Sequence, residues 1–217
     1  MNKSLIILFG APGSGKGYLG EHIKQEMINR QLFTETQIGY ISTGDLLRSE
    51  VASNSPLGQE ISQIISSGKL VSDKIVNALV AKALDGNEDV VFVDGYPRTL
   101  SQLETFLSIT KEKGITLFSI KRDTPTELIL QRVLKRRVCE NCKSTHNVDD
   151  GKCPRCGGKS IIRKDDAVIE KRLFEYEQNT APIWDAIVEA SSKNVIIDGA
   201  IEATSASKVV ITCLYSI

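Results

Sequence analysis

This chain has no net charge, no long apolar run, few aromatic residues and few cysteines. Its 27 Lys and Arg balance 27 Asp and Glu, and aromatics make up 6% of 217 residues. No apolar stretch approaches the roughly 20 residues that a membrane-spanning helix needs. Ser4-Leu-Ile-Ile-Leu-Phe9 is too short for a secretion signal and runs into glycines with no small-residue cleavage pattern, so a cytosolic protein is expected. Five cysteines in a reducing compartment do not make a disulfide framework. The 41% hydrophobic and 25% charged residues that are present exclude a disordered or collagen-like chain. At about 150 residues per domain the length corresponds to one or two domains, enough to bury a sizeable core.

The zero charge is a cancellation. Between Arg132 and Arg172, 12 Lys and Arg stand against 6 Asp and Glu, a net of +6, and the remainder carries the opposite excess. A basic segment on a neutral chain points to a polyanion handled locally.

Short runs rich in Val and Ile alternate with segments of helical spacing. Strands are expected at 5–9, 38–42, 90–94, 115–121 and 194–198, and helices at 15–29, 99–113, 126–138 and 202–214. That order indicates an α/β protein with a parallel five-stranded sheet flanked by helices. Two stretches break the rhythm. Thr43–Val80 carries short helical patterns punctuated by Ser-Pro56 and Ser-Gly68, and reads as a helical insertion. Cys139–Asp166 has few large apolar residues and cannot bury a core of its own.

Gly10-Ala11-Pro12-Gly13-Ser14-Gly15-Lys16 fits the phosphate-loop pattern G-x-x-x-x-G-K, directly after an expected strand and opening an expected helix. Glycines let the backbone wrap so that N–H groups converge on phosphate oxygens, and the helix N-terminus adds partial positive charge. Lys16 would reach the β and γ phosphates. The Ser or Thr that ordinarily follows the lysine is replaced by Gly17, with Tyr18 next. Asp94 ends the strand Val90–Val93, where a carboxylate organises Mg²⁺ beside such a loop.

Cys139-Glu-Asn-Cys142 and Cys153-Pro-Arg-Cys156 are two C-x-x-C pairs with ten residues between them. Paired thiolates at this spacing suit one tetrahedral Zn²⁺, which would replace the missing core of the segment. All four ligands come from the protein, so the site is structural. Cys213, in an apolar C-terminal helix, is expected in the core, as is Trp184. His22 is expected on a helix surface and His146 exposed in the cysteine-rich segment.

Along almost its whole length the chain resembles the adenylate kinase family of nucleoside monophosphate kinases. The resemblance is carried by Gly10–Gly17, Ser42-Thr-Gly-Asp-Leu-Leu-Arg48, Pro56-Leu-Gly58 with Gly68-Lys-Leu-Val71, Asp94-Gly-Tyr-Pro-Arg98 with Gln102, Arg132 to Arg137, Arg163-Lys-Asp-Asp166, and Lys171-Arg172. It implies a P-loop core over 1–42, 73–134 and 167–217, a monophosphate-binding insertion over 43–72, and a mobile zinc-ribbon-like lid over 135–166. Lys-Gly is the family's form of the loop, usually followed by Thr. Tyr18 departs from it, and a phenol oxygen lies too far from the backbone to make the same phosphate contact.

The resemblance also implies the site. Gly10 to Tyr18, Arg132, Arg136 and Ala200 would bind ATP. Thr43, Gly44, Arg48, Lys69, Leu70, Val71, Gly95, Arg98, Gln102, Arg163 and Arg172 would bind AMP. Lys16, Arg98, Arg136, Arg163 and Arg172 would act in catalysis, and Asp94 would hold Mg²⁺ through water. The chemistry of each residue suits its part. Arginine forks bond a phosphate dianion bidentately, and Gln102 offers the donor and acceptor that an adenine edge needs. Arg132 and Arg136, four apart on the expected helix, would share a face, with Arg137 pointing elsewhere. Asp166 to Lys171 is about two residues shorter than the family pattern, so the start of the next helix decides where Arg172 points.

The implied reaction is Mg·ATP + AMP ⇌ 2 ADP, by a monomer that binds ATP, AMP and ADP and neither nucleic acid nor membrane. An AMP phosphate oxygen is already anionic, so no general base is needed and neither His has a catalytic part. Two other readings stay open on the residues: a kinase for UMP or CMP, and a nucleic-acid-binding zinc ribbon on a P-loop domain. Against the second, no aromatic residue lies between Arg132 and Arg172 to stack bases.

Overall fold

The computed structural model describes residues 3–66, 71–142, 145–146, 151–162 and 168–215. The chain opens with β1 (Ser4–Phe9), α1 (Lys16–Asn29) and β2 (Ile38–Ser42), and continues through α2 (Thr43–Ala52), α3 (Pro56–Ser66) and α4 (Asp73–Ala83). Next come β3 (Val90–Asp94), α5 (Leu100–Glu112), β4 (Thr116–Asp123) and α6 (Thr126–Lys135). Three short strands follow, β5 (Arg137–Cys139), β6 (Thr145–His146) and β7 (Ser160–Ile162). The chain then runs through α7 (Ile169–Glu175), a π-helical and a 3₁₀ turn, α8 (Trp184–Ala190), β8 (Lys193–Asp198) and α9 (Ala203–Tyr215).

The main sheet has the order β2-β3-β1-β4-β8 and all four pairings are parallel. β1 sits at its centre, and its unbroken apolar run is what a strand covered on both faces requires. Alternate residues divide between two cores. Leu5, Ile7, Phe9, Val91, Val93 and Leu117 pack with Val80 of α4, Leu103 and Phe106 of α5, and Trp184 and Ile187 of α8. Ile6, Leu8, Phe92, Ile120, Val195 and Ile197 pack on the other face with Leu19, Ile23 and Met27 of α1 and Ala206, Val210 and Ile211 of α9. Because β1 and its neighbours are in register, with Leu8 opposite Asp94 and Phe9 opposite Lys121, their carboxyl ends open at one edge. In open α/β sheets ligands bind there.

Three expectations are corrected. The helix expected over 126–138 stops at Lys135, because Arg136 has extended backbone and Arg137–Cys139 pairs with β7 opposite Ile162 to Ser160. Arg132 and Arg136 therefore do not share a helical face. Cys213 is exposed rather than in the core. The buried stripe of α9 runs through Ala203, Ala206, Val210 and Leu214, and position 213 falls off it. His146 is partly buried, with its Nε2 2.8 Å from Ser160 Oγ. His22, also partly buried, lies under the Tyr18 ring. Trp184 is buried as expected, against Phe9 at 5.0 Å between ring centroids.

Candidate active site

At the carboxyl end of β1 the chain turns through Gly10–Gly15, with positive φ at Gly10, Gly13 and Gly15. Left-handed glycines alternating with other residues turn N–H groups into an anion-binding concavity. Gly15 then caps α1. Lys16, in its first turn, folds back so that Nζ lies 3.4 Å from Ala11 O and 3.9 Å from Asp94 Oδ1. Asp94 Oδ2 accepts from Tyr40 at 3.3 Å, and burial followed by this carboxylate raises the Tyr40 pKa far above the usual phenol range.

The structure also accounts for Gly17. A Cβ there would stand 2.9 Å from Asp94 Oδ2 and 3.4 Å from Tyr40 Oη, so Asp94 occupies the space that a hydroxyl-bearing side chain would fill. Gly17→Ala is expected to push Asp94 off Lys16 and to cost roughly tenfold to a hundredfold in phosphoryl transfer. Steady-state rates at saturating nucleotide measure this, and rates matching the parent protein would refute a requirement for the Asp94–Lys16 geometry.

The electrostatics favour an anionic guest. Burial lowers the pKa of the Lys16 ammonium, Asp94 opposes this, and Arg98, Arg172 and Arg136 lower it further. Three guanidinium groups from separate elements thus act on one lysine balanced by one carboxylate. Arg172 is among them, so with α7 starting at Ile169 its charge is near enough to Lys16 to act on it.

Arg98, partly buried, follows the cis Tyr96-Pro97 bond, and its Nε donates to Gly95 O at 2.6 Å. Thr43, at the start of α2, is buried and donates to Gly95 O at 2.9 Å. Gly44 follows it, where a side chain would meet the Arg48 guanidinium. Arg48 is half exposed and paired with Asp45 one turn back. Gln102 is only 4% exposed. Its Oε1 accepts from the Arg98 N–H at 2.8 Å and its Nε2 donates to Asp73 Oδ1 at 2.7 Å, which leaves one donor and one acceptor site unused. Val71 packs into the core. Lys69, Leu70 and Arg163 lie outside the described residues.

On the opposite side of the loop, Arg132 donates to Ser14 O at 3.2 Å and to Gly199 O at 2.7 Å, joining α6 to the turn after β8. Ala200 in that turn gives its N–H to Asp198 Oδ1 at 2.8 Å. Tyr18 is 60% exposed, its ring packed at a steep angle against His22 with centroids 4.5 Å apart.

Four structural partners escaped the sequence reading. Asp73 holds Gln102 and Thr99, Thr180 donates to Arg98 O at 2.9 Å, Tyr40 holds Asp94, and Arg122 lies under the loop. Of these only Arg122 leaves a trace in the sequence, as a charge inside an apolar strand.

The three short strands form a separate antiparallel sheet, β6-β5-β7, and bring together the sulfurs of Cys139, Cys142, Cys153 and Cys156, all within 4.8 Å of one another. Cys139 and Cys156 Sγ are 3.5 Å apart, and Cys142 and Cys153 Sγ 3.6 Å. Four sulfurs at about 2.3 Å from a tetrahedral ion stand about 3.8 Å from each other, so the cluster fits one metal ion.

A family model described as adenylate kinase matches residues 8–192. The chain belongs to the adenylate kinase family. Adenylate kinase of Petrotoga mobilis is 37% identical over 97% of each chain. That of Thermosipho melanesiensis is 31% identical over 96% of this chain and 98% of its own. That of Syntrophomonas wolfei is 37% identical over 82% and 84%. The adenylate kinase family is one of phosphotransferases, and among the described residues no helix is long and apolar enough to cross a membrane.

Proposed function

We propose that this chain catalyses Mg·ATP + AMP ⇌ 2 ADP. The observation that carries this reading is the Lys16–Asp94 pair at the phosphate loop, under the combined field of Arg98, Arg136 and Arg172. ATP would lie along the loop with its base between Arg132 and the turn at Ala200. AMP would lie between α2 and α5, its phosphate on Arg48, Arg98 and Arg172. Arg163, Lys69, Leu70, Gly95, Thr43, Gly44 and the backbone at Val71 would complete the two sites. Arg48 would exchange Asp45 for phosphate at little cost, because an exposed pair is worth only about 0–1 kcal/mol. Gln102 would offer its unused donor and acceptor to the adenine edge.

Attack by an AMP phosphate oxygen on the γ-phosphorus forms the new P–O bond as the bond to the ADP leaving group breaks, and no proton need move. Lys16 and the arginines neutralise charge on the transferred group and hold the two phosphates in line. Asp94 would hold Mg²⁺ through water, and bound Mg²⁺ supplies further neutralisation of the β and γ oxygens. The segment at 135–166 would close over the site, since water would otherwise compete with AMP. Zn²⁺ is the ion we assign to the four cysteines, because thiolates select a borderline-soft cation and no position is left open for substrate. A cytoplasmic monomer fits these thiols and the one-chain site.

An assay of ADP formation from ATP with AMP, UMP, CMP and GMP tests the reading. AMP is expected to be preferred by at least a hundredfold in kcat/KM, since polar recognition of a base edge discriminates strongly. Preference for a pyrimidine monophosphate would overturn the assignment.

A further inference from the structure

Arg122 occupies a place where an apolar residue would be the ordinary choice. It lies two residues beyond Ile120 on β4, a strand between two covered faces, and is 4% exposed. Its Nη2 donates to Gly199 O at 3.2 Å and Ile201 O at 2.9 Å. Its Nε and Nη1 are buried and have no hydrogen-bond partner, and no carboxylate among the described residues lies within ion-pair distance. Asp198 and Glu202 attract it only from further away, while Arg132 repels it. A buried guanidinium held in this way destabilises a free protein, because two carbonyl oxygens accept from it but no counter-ion offsets its desolvated charge.

Of the unpartnered atoms, Nε lies against the phosphate loop. A side chain at Gly15 would stand 3.6 Å from Arg122 Nε, 3.8 Å from its Cζ and 3.9 Å from Arg132 Nη1. Gly15, the N-cap of α1, has no side chain, so room for a methyl-sized atom remains between the two guanidinium groups and the helix start. The same loop lacks a short hydroxyl at both positions after Lys16, where Gly17 and the exposed Tyr18 stand.

We infer that Arg122 is a further ATP-binding residue, which donates from its unpartnered guanidinium edge to an anionic oxygen of the triphosphate. It works beside Arg132 and offsets the missing hydroxyl. Nη2, anchored on Gly199 O and Ile201 O, fixes the guanidinium between the base-side turn and the phosphate loop. The triphosphate supplies the counter-charge that the protein withholds. This assignment rests on the proposed ATP site.

The test is isothermal titration of the intact protein, Arg122→Met and Arg122→Lys with a non-hydrolysable ATP analogue, inorganic triphosphate and AMP, with melting temperatures of the ligand-free proteins. For Arg122→Met, affinity for the analogue and for triphosphate is expected to fall by roughly tenfold or more, the worth of a charge-assisted hydrogen bond. AMP affinity should stay within twofold, and the melting temperature should hold or rise. Arg122→Lys should recover part of the loss, because the charge returns without the fork. Analogue affinity unchanged in Arg122→Met would overturn the inference. So would a lowered melting temperature with ATP and AMP affinities falling together, the mark of a structural strut. Failure of the parent protein to bind the ATP analogue at all would overturn the ATP site itself, and the inference with it.

Discussion

Lys16→Met is expected to lower the rate of phosphoryl transfer by about a hundredfold to a thousandfold while the protein stays folded. Charge aimed at a transferred group in a dry site is worth about 2–4 kcal/mol of barrier, and Lys16 is the cation closest to Asp94 on the loop itself. Methionine keeps the length and apolar stem of lysine, so the packing of α1 on the sheet is preserved. Stability should not suffer, because burial and three arginines already disfavour the ammonium in the free protein. Asp94 keeps the Tyr40 hydroxyl and the attraction of Arg98. The check is kcat and KM for both nucleotides beside thermal melting. Near-normal turnover would remove Lys16 from the mechanism, and a collapsed melting curve would mark it as a structural residue.

The parts of the fold that sequence made legible are those in which one local rule acts alone. β1 is apolar at every position from Leu5 to Phe9, so it had to be covered on both faces, and it is the central strand. The glycine spacing from Gly10 to Gly15 marked a phosphate loop because its turn needs backbone that other residues avoid. Elsewhere a tertiary demand overrode the local signal. Helical spacing continues past Lys135, but Cys139 must reach three other sulfurs, and the chain goes extended at Arg136 to deliver it. Cys213 was placed by the apolar character of its helix, whereas one residue of rotation decides burial on an amphipathic helix.

For the site, residue types pointed to chemistry better than to partners. Lys16, Asp94 and Arg98 lie near one another because they end or follow neighbouring strands of one parallel sheet. Gln102 illustrates the limit. Its amide reads from sequence as a free recognition group, yet Asp73 and the Arg98 N–H already hold both its ends. Those partners lie 29 residues back and four residues back along the chain, in elements whose packing no single motif encodes. Arg122 is hidden for a related reason: strand β4 extends to Asp123, two residues beyond the strand expected at 115–121, and carries the arginine inside.

Removing the metal is expected to unfold the cysteine-rich segment and to reduce phosphoryl transfer by about a hundredfold, with the core sheet left standing. The segment has three strands of three, two and three residues, and Cys139 and Cys153 are its buried hydrophobic residues among those described. So little apolar surface cannot offset the entropy of ordering the chain. Structural Zn²⁺ in small peptides contributes about 10–16 kcal/mol, ample to reverse that balance. The main sheet has its two cores elsewhere and none of the four ligands lies on it. Charge matters as well. The net +6 from Arg132 to Arg172 falls by two when four thiolates hold one Zn²⁺, which leaves about +4 on this stretch of chain. Cys139→Ala should behave like chelation, because three thiolates neither close the tetrahedron nor hold β5 against β7. Hydrogen exchange across 137–162, read beside the melting of the rest of the chain and the rate of ADP formation, separates the two parts. Exchange protection and activity that both survive chelation would show that the strand pairing of β5, β6 and β7 holds the segment without a metal.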